Sequence, residues 1–163
     1  IYTPMKRVSP LCTLVGAIPG ALPPMIGWAG SRGTLDLGAW ALFAILFVWQ
    51  IPHFLALAVL YREDYARAGI PVLPLVEAGG WITARQIVLS GMALLPVSLF
   101  PTIMGLASET YFYGATLLGL GFFVVAARTA WIRSLQSARQ LFRASVIYLP
   151  ALLSLLAFNR VVL

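Results

Sequence analysis

The chain has 163 residues, 61% hydrophobic and 10% charged, with a mean hydropathy of +0.92 and a formal net charge of +6. One soluble core of this size does not hide that much apolar surface, so a soluble globular domain is excluded and the bilayer is the expected solvent. A single cysteine, Cys12, with no Cys/His cluster excludes a disulfide framework and a zinc site, and Cys12 reads as a small apolar side chain.

A helix needs about 20 mostly apolar residues to cross a bilayer. Five such runs are expected, at Val8–Gly30, Leu37–Tyr61, Ile87–Ala107, Tyr111–Trp131 and Ser145–Val162. The first holds Pro19, Pro23 and Pro24 among Gly16, Gly20, Gly27 and Gly30. It is expected to kink or break, because proline lacks an amide donor and clashes with the preceding turn. Two uses of that break stay open: close packing through the Gly16/Gly20 pair, and freed carbonyls lining a cavity. The connections "SRGTLDL" and "ASETY" are short, whereas Arg62–Gln86 and Ile132–Ala144 are longer and fall at the same end. Trp28, Trp40, Trp81, Trp131, Tyr111 and Tyr113 lie near span ends, where amphipathic rings anchor at the headgroups.

These patterns give an all-α, polytopic transmembrane helix bundle forming one membrane domain over residues 1–163. The alternating ten-residue strands of a membrane barrel do not occur. No charged leader with a short apolar core and a small-residue cleavage site opens the chain. The opening "IYTPMKR" reads as the continuation of something longer.

Placed on this topology, Lys6, Arg7, Arg62, Arg67, Arg85, Arg128, Arg133, Arg139 and Arg143 gather at one face, and only Arg32 and Arg160 at the other. This is the asymmetry of the positive-inside rule, with the richer face cytoplasmic. The charge therefore needs no nucleic-acid partner; the lipid bilayer is its partner.

The stretch Trp49–Pro74 carries most of the chemistry. On a helix, positions 53, 57, 60 and 64 share a face, so His53 lies at depth and Asp64 at the mouth, roughly 16 Å apart along the axis. Continued helicity beyond Tyr61 brings Arg67 onto the same face. Ionisable groups at membrane depth usually face a bundle interior and mark function, while the plainer reading of His53 is a neutral imidazole satisfied by a neighbouring hydroxyl or carbonyl. Beyond Tyr61 stand Arg62, Glu63, Asp64, Tyr65 and Arg67, then Gly69 and Pro71 in a turn. Arginines clamp phosphate and carboxylates hold Mg²⁺ together with phosphate oxygens, so a phosphate site and an ordinary surface charge cluster both fit.

The ordered motifs "YTPMKR", "GAIPGALPPMIGW", "WQIPHF" and "YREDYARAGIPVLP" together resemble the haem-farnesylating, haem O synthase branch of the UbiA-type intramembrane prenyltransferases. The resemblance covers most of the chain. It implies a nine-helix bundle around a cavity open to the cytoplasmic side, of which this chain is the C-terminal part. The N-terminal helices and the first aspartate-rich motif, the main Mg²⁺ site, would then lie upstream of Ile1, leaving residues 1–163 inactive alone. The wider superfamily's second motif has several aspartates, whereas only Glu63 and Asp64 stand here, followed by Ala68, and Val72 replaces a methionine of the family pattern.

By resemblance the reaction joins farnesyl diphosphate to haem b with water, giving haem O and diphosphate in haem biosynthesis for terminal oxidases. Mg²⁺ would accompany the diphosphate. The implied catalytic residues are His53, Asp64 and Tyr61; Lys6, Arg7, Arg62, Tyr65, Arg67 and Gly69 would bind substrate, with Asp64 and Glu63 near the metal. The implied setting is a bacterial inner membrane, with contact to haem A synthase or to terminal oxidase assembly. The other class that broken helices and a mid-membrane histidine fit is a transporter or a respiratory-complex assembly scaffold.

Overall fold

The computed structural model describes residues 12–77 and 79–160, with side chains from Val15 onward. Helix α1 (Cys12–Gly20) and helix α2 (Pro23–Arg32) divide the expected first span at Ala21 and Leu22. Pro23 and Pro24 have no amide hydrogen to return to the carbonyls of Pro19 and Gly20, so the hydrogen-bond ladder stops there. Just before the break, Gln50 of the next helix donates its Nε2–H to the Ala17 carbonyl at 2.6 Å, which also accepts the Ala21 amide at 3.1 Å. A Cβ on Gly20 would run into the Gln50 side chain. At Gly20, then, the glycine serves close packing.

Helix α3 (Leu37–Leu60) begins at Asp36, whose carboxylate accepts the amides of Gly38 at 2.9 Å and Ala39 at 3.4 Å. Short helices α4 (Arg62–Arg67) and α5 (Leu73–Val76) follow, then α6 (Trp81–Ser98), α7 (Phe100–Ile103), α8 (Glu109–Ile132) and α9 (Leu135–Phe158). Among the described residues four segments are long and apolar enough to cross a membrane: Leu37–Leu60, Trp81–Ile103, Glu109–Ile132 and Leu135–Phe158. The chain is an integral, multi-pass membrane protein.

Two span boundaries differ from the sequence expectation, and side-chain caps explain both. The third span starts at Trp81 rather than Ile87, because Glu77 accepts the amides of Ile82 at 2.6 Å and Thr83 at 2.7 Å, together with the Thr83 hydroxyl. An acid at that position also meets the positive end of the helix dipole. The last span starts at Leu135 rather than Ser145. Ser134 and Ser137 cap its first turn reciprocally, so Arg139 and Arg143 lie on the helix instead of in a loop. The expected connection Ile132–Ala144 shrinks to Arg133 and Ser134, with Arg133 turning the chain at φ 50°.

The four long helices close a square in which α3 packs on α6 and α9, and α8 on the same two; α1 and α2 lie along α3. Ile45, Leu55, Leu94, Phe122, Leu141 and Leu152 fill its centre.

Tyr111 corrects another expectation. It is fully buried, not at the headgroups, unlike the exposed Trp40, Trp81, Trp131 and Tyr113. Its hydroxyl donates to the Ser98 carbonyl at 2.7 Å, where α6 gives way to α7 and the carbonyl has lost its helical partner. The Tyr148 hydroxyl meets Ser98 Oγ at 2.7 Å, and that oxygen donates its own hydrogen to the Leu94 carbonyl. Tyr111→Phe is therefore expected to lower the unfolding free energy by about 1 kcal/mol, the scale of an intramembrane hydrogen bond. Thermal unfolding in detergent checks this; an unchanged midpoint would show that the bond contributes nothing.

Candidate functional site

His53 sits half-buried in α3 within an aromatic sandwich. Trp49 stacks on it at 4.9 Å between centroids, Phe142 of α9 stacks at 5.0 Å, and Phe54 meets it edge-on at 5.6 Å. The spacing from 49 to 53 puts both α3 rings on one face, one turn apart. Both also reach Ser145 of α9: the Trp49 indole N–H donates to its carbonyl at 2.9 Å, and His53 Nδ1 lies 2.8 Å from its Oγ. A hydroxyl partner for the imidazole is thus present, as the plainer reading of the sequence required. The ring nevertheless keeps an open side. Among the described residues Nε2 has no hydrogen bond, yet it is not among their sealed, unpartnered polar atoms, which are Trp28 Nε1 and Thr102 Oγ1.

The stripe from His53 towards Asp64 is bent. Helix α3 ends at Leu60, and Tyr61, at φ −107° and ψ 28°, redirects the chain into α4. The backbone bonds Tyr61 N–H to Leu57 O (2.9 Å) and Tyr65 N–H to Tyr61 O (3.0 Å) carry the helical path across the bend. Asp64 and Arg67 do share a side, paired at 2.5 Å, though both are exposed, where such a pair contributes little stability. Tyr61, Arg62 and Glu63 are exposed and Tyr65 is half-buried. Lys6 and Arg7 lie outside the described residues.

Glu63 and Asp64 are neighbours on a helix, so their side chains diverge by about 100° and do not converge on one ion. Among the described residues no group of three His, Cys, Asp or Glu side chains could hold a metal. This donor set does not fit a Mg²⁺ site on its own.

Gly69 reverses the chain after α4 at φ 64°, with Pro71 following. A Cβ there meets nothing within 4 Å, so its cost is backbone strain alone. Gly69→Ala is expected to cost about 1 kcal/mol, confined to the turn. Hydrogen exchange should speed up at the Ile70 and Val72 amides, which bond to Tyr65 and Ile70, with only a small drop in the global unfolding midpoint. Unchanged exchange would rule the strain out.

The arginines sort by bundle end. Arg62 and Arg133 line a cavity of about 270 Å³ with Glu77, Thr83 and Thr129, while Arg32 and Arg160 line one of about 450 Å³ at the opposite end with Trp28 and Leu153. The Arg133 guanidinium lies 3.9 Å over the Trp81 ring and donates to the Gly79 carbonyl at 3.1 Å. Neither cavity is lined by His53.

Sequence reasoning missed Ser145, Phe142 and Glu77. The charges of Arg139 and Arg143 resemble a loop and set the expected span boundary at Ser145; the S-x-x-S pattern at Ser134–Ser137 is the signal in the sequence for the earlier start.

The model of the UbiA prenyltransferase family matches residues 1–156. The chain belongs to this family. Among similar UbiA-type relatives, a protein named protoheme IX farnesyltransferase from Solibacter usitatus is 51% identical, over 98% of this chain and 55% of its own length. Proteins of the same name from Koribacter versatilis and Salinibacter ruber are 47% and 44% identical, over 99% and 96% of this chain. The chain spans about half the length of these curated relatives. No solved structure matches.

Proposed function

We propose that this chain works, with the further length its relatives carry, as an intramembrane enzyme that joins farnesyl diphosphate to a vinyl group of haem b and adds water, giving haem O and diphosphate. The observation that carries this reading is the 51% identity, across nearly the whole chain, to a protein named protoheme IX farnesyltransferase. The open imidazole of His53, on the helix that leads to the arginines at its end, supports it.

The carbon–oxygen bond of the allylic diphosphate breaks with its electron pair leaving on the diphosphate. Arg62 and Arg67, with Lys6 and Arg7, neutralise that departing charge. The vinyl π pair then forms the new carbon–carbon bond, and the resulting cation beside the macrocycle is captured by water. His53 Nε2 takes the proton this water loses. Asp64 holds Arg67 in place, Tyr61 and Tyr65 shape the diphosphate end, and Gly69 sets the loop that carries it. The apolar bundle keeps other water from intercepting the cation. Mg²⁺ would supply further neutralisation of the diphosphate, held chiefly by groups other than Glu63 and Asp64. The arginine-rich end faces the cytoplasm of a bacterial inner membrane under the positive-inside rule, and the product would pass to haem A synthase or terminal oxidase assembly.

The test is to incubate the full-length protein with labelled farnesyl diphosphate and haem b. A labelled, more hydrophobic haem supports the proposal. Unchanged haem with substrate merely bound or moved would replace it with a carrier or scaffold.

A further inference from the structure

The hydrogen bonds around Ser145 fix which nitrogen of His53 carries the proton. Ser145 Oγ lies 2.7 Å from the Phe142 carbonyl oxygen, which accepts but does not donate. At that separation the single hydroxyl hydrogen must lie between the two oxygens, because two facing lone pairs would repel. The hydroxyl has no second hydrogen for His53, so at 2.8 Å the imidazole Nδ1 is the donor and Ser145 Oγ the acceptor. In the neutral imidazole Nε2 is then bare, its lone pair directed to the open side of the ring. From this geometry we infer that Ser145 is a positioning residue: it holds neutral His53 in the Nδ1–H tautomer and presents Nε2 as a proton acceptor.

Two features keep the arrangement in register. Trp49 donates to the Ser145 backbone carbonyl at 2.9 Å, which ties the same turn of α9 to α3 without using the hydroxyl. Stacking between Trp49 and Phe142 blocks the ring flip that would put Cδ2 where Nδ1 meets Ser145. The tautomer assignment stands on these contacts; its catalytic consequence rests on the proposed function, in which Nε2 receives the proton of the added water. A histidine in the other tautomer would offer an N–H where a base is needed, the same failure that a wrongly held imidazole causes in catalytic triads.

The experiment uses the full-length protein, labelled with ¹⁵N-histidine and reconstituted in lipid, with the His53→Ala spectrum assigning the resonance. A bare Nε2 and a protonated Nδ1 are expected for His53. Ser145→Ala, which keeps the Trp49 bond to the backbone, should bring in a protonated-Nε2 population and lower kcat about tenfold, as loss of an orienting partner commonly does, with KM for farnesyl diphosphate unchanged. Ser145→Thr, which retains the hydroxyl, should restore both. A bare Nδ1 in the unaltered protein, or a Ser145→Ala spectrum identical to it, overturns the inference. Should Ser145→Ala fail to fold, the spectrum of the unaltered protein alone decides the tautomer. If the tautomer shifts but neither Ser145→Ala nor His53→Ala changes turnover, the assignment stands and the role proposed for His53 falls.

Discussion

His53→Ala in the full-length protein is expected to lower the rate of haem farnesylation by about 10²- to 10³-fold, the range lost when a positioned proton acceptor is removed. The site justifies a large effect because no contact of the imidazole among the described residues substitutes for it. Its neighbours are Trp49, Phe54, Phe142 and Ser145, none of which accepts a proton near neutral pH. The fold should survive the change, since the indole of Trp49 still bonds to the Ser145 carbonyl and Gln50 still holds Ala17. The measurement is single-turnover product formation alongside a detergent melting curve. A normal rate with a normal melting curve would remove His53 from the mechanism.

Residues 1–163 expressed alone are expected to form no farnesylated haem, even with both substrates and Mg²⁺ in excess. Diphosphate departure requires its charge to be neutralised, and within the described residues the acids at the arginine-rich end are Glu63, Asp64 and Glu77. Glu77 is committed to the start of α6, Asp64 pairs with Arg67, and Glu63 diverges from Asp64 by about 100° around the helix. What remains is a set of exposed arginines, whose attraction for phosphate is weakened by water and salt. Supplying the further length that the relatives carry, as a second chain or in one polypeptide, should give product. Haem O formed by residues 1–163 alone would show that this half holds a complete ionisation site.

The membrane-bundle class and the order of its spans were legible because hydropathy acts over twenty residues and tolerates error at either end. The break in the first span was legible too, since Pro23 and Pro24 forbid two consecutive amide bonds wherever the neighbours lie. Boundaries were harder. Arg139 and Arg143 read as loop because charge is a proxy for water, whereas a helix starts where its amides find acceptors, here at Ser134. His53 stood out as the one deep ionisable group, but its partner did not: Ser145 lies 92 residues away, and no local pattern links an imidazole to a hydroxyl on another helix. Tyr111 was misjudged for a related reason. A ring near a span end is ordinarily an anchor, and only the carbonyl released at Ser98 draws this one inward.

The two-residue reversal between α8 and α9 bears on biogenesis. With Arg133 and Ser134 as the whole link, neither helix can settle in lipid far from the other, so the two sit in the membrane as one hairpin. Arg139 and Arg143, exposed on the opening turns of α9, resist being dragged through the hydrocarbon and so fix how deep that hairpin sinks.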